Sequence, residues 1–388
     1  MSLSFPTVRK AKHDGTLPEW EPERQQRKRI SRKHVMFAAC AMIVGIALSL
    51  LHMIQTGTTR PKVIASVPGG ELRASCDSGF VIARDGSLIF LDTDGITGPL
   101  PGDYETVINS GAWLVGLEPP FMHLIRPDLP GSQVLTVRLA PGERPVPVLQ
   151  GDAVITYRPQ QDIKFGEPWY LRAVSGEGAV MWDRQLPYAP LFGTSDGRHL
   201  VMAAVDISGG GTPWALCVSI NTGELMWQQP LGPGAWRYLA ISPDGNVRAV
   251  LDSCAYCLTA DGQVAWAYRP AGMIASAAEH SGILAVSVSN EPSGARTGLF
   301  GNAQVMALSK DGEVLWEMKT TEALPRLFVS AGRLIVLEAG KVLCVQPDTG
   351  DVFFWAKVDG YPITCAKDVI LVYKDDGFAL VDPGISSP

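Results

Sequence analysis

Ala307-Leu-Ser-Lys-Asp-Gly-Glu-Val-Leu-Trp316 reads as a β-hairpin compressed into ten residues. An apolar pair enters, Asp-Gly makes a tight turn, and Val-Leu-Trp opens a second strand. Glycine suits that turn because the backbone needs φ > 0, which a Cβ penalises. Four further stretches repeat the pattern. They are Leu171-Arg-Ala-Val-Ser-Gly-Glu-Gly-Ala-Val-Met-Trp182, Ala215-Leu-Cys-Val-Ser-Ile-Asn-Thr-Gly-Glu-Leu-Met-Trp227, Cys257-Leu-Thr-Ala-Asp-Gly-Gln-Val-Ala-Trp266 and Leu343-Cys-Val-Gln-Pro-Asp-Thr-Gly-Asp-Val-Phe-Phe-Trp355. The tryptophans are spaced 45, 39, 50 and 39 residues apart. Each follows its turn glycine (Gly178, Gly223, Gly262, Gly312) by four residues, except that Trp355 follows Gly350 by five.

Degenerate copies extend the register in both directions, at residues 88–95, 122–131 and 378–383, and a β-rich run precedes each copy. Those runs fall at 80–83, 113–116, 154–157, 200–205, 247–251, 283–288, 334–337 and 369–373. Eight units over residues 61–388 give about 41 residues each, the length of a four-stranded propeller blade. The expected fold is therefore all-β, an eight-bladed β-propeller, with seven blades as the alternative because the first two units are weakly patterned. The last copy stops at 383–388, where its outer strand should begin. The stretch Pro61-Lys-Val-Ile-Ala-Ser-Val67 is a spare strand and is expected to complete the eighth blade. That would close the ring and remove an open edge.

Composition agrees. The chain has 388 residues, 46% of them hydrophobic and 19% charged, with 40 Gly and 29 Pro for the many turns. It is too apolar to be disordered. A net charge of −6 argues against a nucleic-acid partner. That charge is unevenly placed: residues 1–34 hold nine Lys/Arg against four Asp/Glu, leaving −11 on the remainder. Directly after this basic segment, residues 35–54 (VMFAACAMIVGIALSLLHMI) carry no formal charge. Twenty helical residues span about 30 Å, the thickness of a bilayer core. Basic residues before a single span place the N-terminus in the cytoplasm.

Cleavage of this segment is not expected. The leader is long, Gln55-Thr-Gly57 is a poor cleavage site, and Phe37-Ala-Ala-Cys40 lies at the start of the apolar run rather than its end. The expected organisation is a disordered basic tail at 1–34, a signal-anchor helix at 35–54 in contact with the lipid bilayer, a linker at 55–60, and a propeller at 61–388. The propeller would lie in the periplasm or outside the cell.

The repeat resembles that of the quinoprotein-type (PQQ-like) propeller family, whose units read approximately A-L-D-x-x-T-G-x-x-x-W. The resemblance covers residues 61–383. The family includes the propeller lipoprotein of the outer-membrane barrel-assembly machinery as well as quinone-cofactor dehydrogenases. It implies that Trp182, Trp227, Trp266, Trp316 and Trp355 dock blade against blade. Residue chemistry agrees, since a large aromatic is most valuable in core and interface packing. The dehydrogenases of this family carry an adjacent Cys-Cys pair and a calcium site of Glu, Asn and Asp. No Cys-Cys dipeptide occurs here and none of those ligands maps onto the chain. No cofactor, PQQ included, is expected.

Other chemical motifs dissolve on inspection. Cys254-Ala-Tyr-Cys257 lacks the second pair that a structural zinc site requires. Cys217, Cys257 and Cys344 fall where Ala173, Ala307 and Ala379 stand in other units, a slot for a small buried residue. Cys76, Cys254 and Cys365 are unplaced, and a disulfide among them stays open at this point. Asp92-Thr-Asp-Gly95 resembles the opening of a calcium loop but lacks its later ligands. Ser208-Gly-Gly-Gly211 lacks the Gly-Lys-Ser/Thr that cradles phosphate. The six histidines show no pair spacing, and no catalytic or metal residues are assigned.

The loops between second and third strands emerge on one face of a propeller. Three are long, at 158–169, 206–214 and 289–302, and the first two end alike in Pro-Trp. Insertions on one face of a repeat array often mark its binding face, and aromatics with Arg favour interfaces. The candidate partner-binding residues are Trp169, Trp214, Arg296 and Phe300. The expected function is a non-catalytic protein-binding or assembly scaffold with an envelope protein as partner. The alternatives are a quinone-cofactor or small-ligand enzyme, or a ligand sensor signalling through the tail.

Overall fold

A computed structural model describes residues 61–384 except 77, 101, 103, 111–112, 127–133, 149–153, 159–168, 209, 290–302, 323 and 331. The expected membrane span at 35–54 lies outside these residues. Among the described residues there is no helix, and so none long and apolar enough to cross a membrane. Thirty-two strands form eight four-stranded antiparallel sheets. The ring has eight blades, which excludes the seven-bladed alternative.

Seven blades are built from four consecutive strands, innermost first. The eighth is composite. Its inner three strands are Tyr361–Ala366, Val369–Lys374 and Gly377–Asp382, and its outermost is Lys62–Pro68 from the start of the propeller. Lys62 lies opposite Asp382 and Pro68 opposite Gly377, with one irregularity between Val63 and Ala65. The spare strand does close the ring.

Burial within a blade follows position. Second strands are covered on both faces, as in Val247–Leu251, where every residue is buried. Outer strands are half open, as in Leu225–Pro230. The hydrophobic core is divided accordingly: eight separate clusters occupy the eight seams between neighbouring blades. The seam between blades 8 and 1 is filled by Val67, Phe80, Ile82, Leu91, Leu371 and Leu380. It is as complete as any other.

Four consecutive seams, from blades 3 and 4 to blades 6 and 7, are each latched by a tryptophan. Trp182 donates its Nε1–H to the Ile220 carbonyl at 2.6 Å, and Trp227 to Ala260 at 2.9 Å. Trp266 donates to Lys310 at 2.6 Å and Trp316 to Pro347 at 2.8 Å. Each acceptor lies in the hairpin turn of the next blade, and each ring covers that turn's glycine. Gly262 shows why glycine is required. Its φ is +85°, and a Cβ there would come within 2.6 Å of the Trp227 ring. Leu135 takes the same place over Gly178, and Ile64 of the closing strand takes it over Gly95.

Trp355 does not. In its blade Phe354 stands opposite Cys344, as Trp227 stands opposite Cys217 and Trp316 opposite Ala307. The extra residue after Gly350 moves Trp355 to the other face of its strand, because side chains alternate with period two. Trp355 is 39% exposed, with Lys341 Nζ 6.0 Å from its ring.

One buried ion pair braces blade 3. Glu143 accepts from the Ala140 amide at 2.7 Å, from the Thr156 hydroxyl and from Arg172 Nη1 at 3.1 Å. Its side chain is 2% exposed and that of Arg172 19%. Replacing Glu143 with Ala leaves two donors without their acceptor and Arg172 with only the more distant Asp183 carboxylate, at 3.9 Å. The expected loss is about 2 kcal/mol, read as a lower urea midpoint with an unchanged slope.

Candidate aromatic seam and binding face

Trp169 and Trp214 are the candidate binding residues of the long-loop face that the structure describes. Arg296 and Phe300 lie outside the described residues. Trp214 was expected at the end of a loop but sits within a strand, Thr212–Ser219, opposite Ala204 and Pro230. The ladder extends to Asp206 opposite Thr212, which shortens the loop to 207–211. Trp169 begins the strand Trp169–Val174, opposite Leu186.

The two Pro-Trp endings look equivalent in sequence and are not. Relative to the small-residue slot, Trp169 precedes Ala173 by four and Trp214 precedes Cys217 by three. Trp169 therefore shares a side with Leu171 and Ala173, and Trp214 with Leu216 and Val218. Leu171 and Ala173 of blade 3 and Leu216 and Val218 of blade 4 all belong to one cluster, in the seam between these blades. The offset of one residue thus turns the two tryptophans towards each other's blade. The shared seam was invisible to spacing alone.

Two tyrosines complete the group. Tyr188, in the link between blades 3 and 4, stacks on Trp214 with centroids 4.3 Å apart and planes 15° apart. Tyr157 lies 5.7 Å from Trp169 at 43°. Tyr157, Tyr188 and Trp214 are half-buried on the same core cluster. Burial, aided by the Asp206 carboxylate, raises the Tyr188 phenol above its ordinary value. Trp214 Nε1 has no hydrogen-bond partner among the described residues. On the other face of blade 3, Arg158 lies 4.9 Å over the Tyr170 ring. Ile207 is 44% exposed. Only the tryptophans carried a sequence signal. Tyr157, Tyr188 and Ile207 were missed because no repeat position marks them.

The cysteines behave as packing residues. Cys217, Cys257 and Cys344 are buried in the third strands of their blades, and Cys217 and Cys344 have thiols pushed up to about 12 by burial. The native protein should leave both unlabelled by a maleimide at pH 8, with labelling by mass spectrometry appearing only on unfolding. Cys254 is likewise a buried thiol, and Cys76 donates to the Gly79 carbonyl at 3.6 Å. Asp92 accepts from the Asp94 and Ile96 amides at 3.0 and 2.7 Å, so its loop is a hairpin turn. No group of three or more His, Cys, Asp or Glu among the described residues could hold a metal ion.

Residues 214–354 match the family profile described as outer membrane protein assembly factor BamB. The chain resembles the PQQ-like propellers. The structure of BamB from Moraxella catarrhalis superposes with a TM-score of 0.53 at 14% identity, over 83% of this chain and 99% of that one. Sqt1 from Saccharomyces cerevisiae gives 0.57 at 10% identity, over 83% and 99%. The quinohemoprotein alcohol dehydrogenase from Comamonas testosteroni gives 0.57 at 10% identity, over 86% and 78%. A sequence comparison with curated proteins found no match. At these identities the PQQ-like likeness establishes the fold.

Proposed function

We propose that this PQQ-like propeller is a non-catalytic protein-binding scaffold of the cell envelope, anchored by residues 35–54 with its N-terminus in the cytoplasm. The observation that carries the reading is the packing of Trp214, Tyr157 and Tyr188 on one seam, with Trp169 against Tyr157. Rigid amphipathic aromatics are among the residues that dominate protein interfaces. A likeness to an assembly factor supports the same class of role. The uncharged stretch behind a basic segment supports the anchor.

A photo-crosslinking residue at position 207 in the full-length chain tests the face. One protein adduct is expected. Tyr188→Ala with Trp214→Ala should reduce it at least tenfold while circular dichroism stays unchanged. An adduct that survives the double substitution, or no adduct, sinks this assignment. A membrane-impermeant amine reagent added to intact spheroplasts should label lysines of the propeller and spare those of the tail, and an unlabelled propeller contradicts the topology.

A further inference from the structure

Every blade ends in an outer strand whose free edge could pair with another chain, and most of these edges are blunted. Charge and proline are the usual means. Thr97–Pro99 and Leu225–Pro230 contain a proline, and Lys62–Pro68 both a lysine and a proline. Val134–Arg138, Val180–Leu186, Val314–Lys319 and Val352–Lys357 contain charged residues. The outer strand of blade 5, Val264–Tyr268 (VAWAY), has neither. Val264 is 44% exposed, and Ala265 and Ala267 are exposed. A bulge interrupts this strand, but the same bulge occurs in blades 3, 4, 6 and 7 and does not set it apart.

We infer that the outer edge of blade 5 accepts an extended segment of a partner protein as a fifth, antiparallel strand. The inference rests on the scaffold reading and names a second surface for it. Main-chain hydrogen bonds supply affinity in this mode of recognition. The protein already uses it on itself, where Lys62–Pro68 adds to Gly377–Asp382. Charges at the two ends of the edge give it direction. Asp261 stands exposed before the strand and Arg269 exposed after it. An antiparallel segment that fits them carries an acid near its N-terminus and a base near its C-terminus. A second copy of this chain is the weaker occupant. A stable dimer buries about 1,200–2,000 Å², and a five-residue strand about 17 Å long offers a small part of that.

The probe is the peptide Glu-Thr-Val-Thr-Val-Thr-Val-Thr-Lys, added to the full-length chain in detergent and followed by hydrogen exchange. Amides in 264–268 should exchange at least tenfold more slowly. The protection should vanish in Ala267→Lys, a substitution at an exposed position that should leave the melting temperature unchanged. It should also weaken for the peptide with Lys first and Glu last. Three outcomes overturn the inference: no protection at millimolar peptide, equal protection in Ala267→Lys, or equal protection at 314–319. Dimerisation of the protein alone that Ala267→Lys abolishes would assign the edge to a second copy instead. Throughout, an intact crosslink at position 207 would show that the aromatic seam stands even where the edge fails.

Discussion

A chain shortened to begin at Gly69 will unfold at a markedly lower denaturant concentration than the full-length protein. It loses the strand that completes blade 8, and with it the pairing of Lys62–Pro68 against Gly377–Asp382. Val67, 4% exposed in the seam core, goes too, as does Ile64 from over the Gly95 turn. Removing one fully buried Val side chain costs about 1.5–3 kcal/mol. The lost ladder adds about 1 kcal/mol for each hydrogen bond. The total loss should be at least about 4 kcal/mol. The freed edge of Gly377–Asp382 should also make the protein aggregate. A synthetic peptide of residues 61–68 in excess should raise the midpoint again by mass action. A truncated protein as stable as the full chain would mean that the strand is ornamental.

Trp182→Ala and Trp355→Ala should differ sharply although both belong to the same sequence repeat. Trp182 is 6% exposed, packs in the seam between blades 3 and 4 and holds the Ile220 carbonyl. Truncating such a residue costs about 3–5 kcal/mol. Trp182→Phe keeps most of the ring and gives up the hydrogen bond, for about 1 kcal/mol plus a small packing loss. Trp355 is more than one-third exposed, with a lysine ammonium 6.0 Å from its ring. Its removal should cost less than about 1 kcal/mol. In this blade the latch position belongs to Phe354, and Phe354→Ala should be the damaging change. Urea titrations of the four variants decide the matter, and equal losses for both tryptophans would refute the register argument.

The parts of the fold that could be read from sequence were those with a strict local cause. Hairpin turns demand glycine at a fixed offset, and second strands covered on both faces are apolar almost throughout, with Arg248 and Ser287 as the polar exceptions in the two examples that follow. That is why 247–251 and 283–288 stood out. Innermost strands were not legible. Arg326–Ser330 runs exposed, buried, intermediate, exposed, buried, and Ala189–Ser195 contains an irregularity between Pro190 and Phe192. Neither period-two pattern nor continuous apolarity survives there. Counting from a turn worked while the spacing held and failed by one residue at Trp355. The aromatic seam was half legible: Trp169 and Trp214 were found through matching Pro-Trp endings, yet those endings are out of register. What unites the two residues is their position on opposite walls of one seam, and sequence spacing within either blade does not encode that.

The division of the core into eight seam clusters has a thermodynamic consequence. Stability in such an array is approximately a sum of blade terms and nearest-neighbour terms, as in a one-dimensional chain of coupled units. In a linear array an end unit frays by giving up one neighbour term. Here the eighth seam joins last blade to first, so the array has no end units. Releasing any single blade requires giving up two neighbour terms at once, and the partly open states that proteases and aggregation exploit are correspondingly rare.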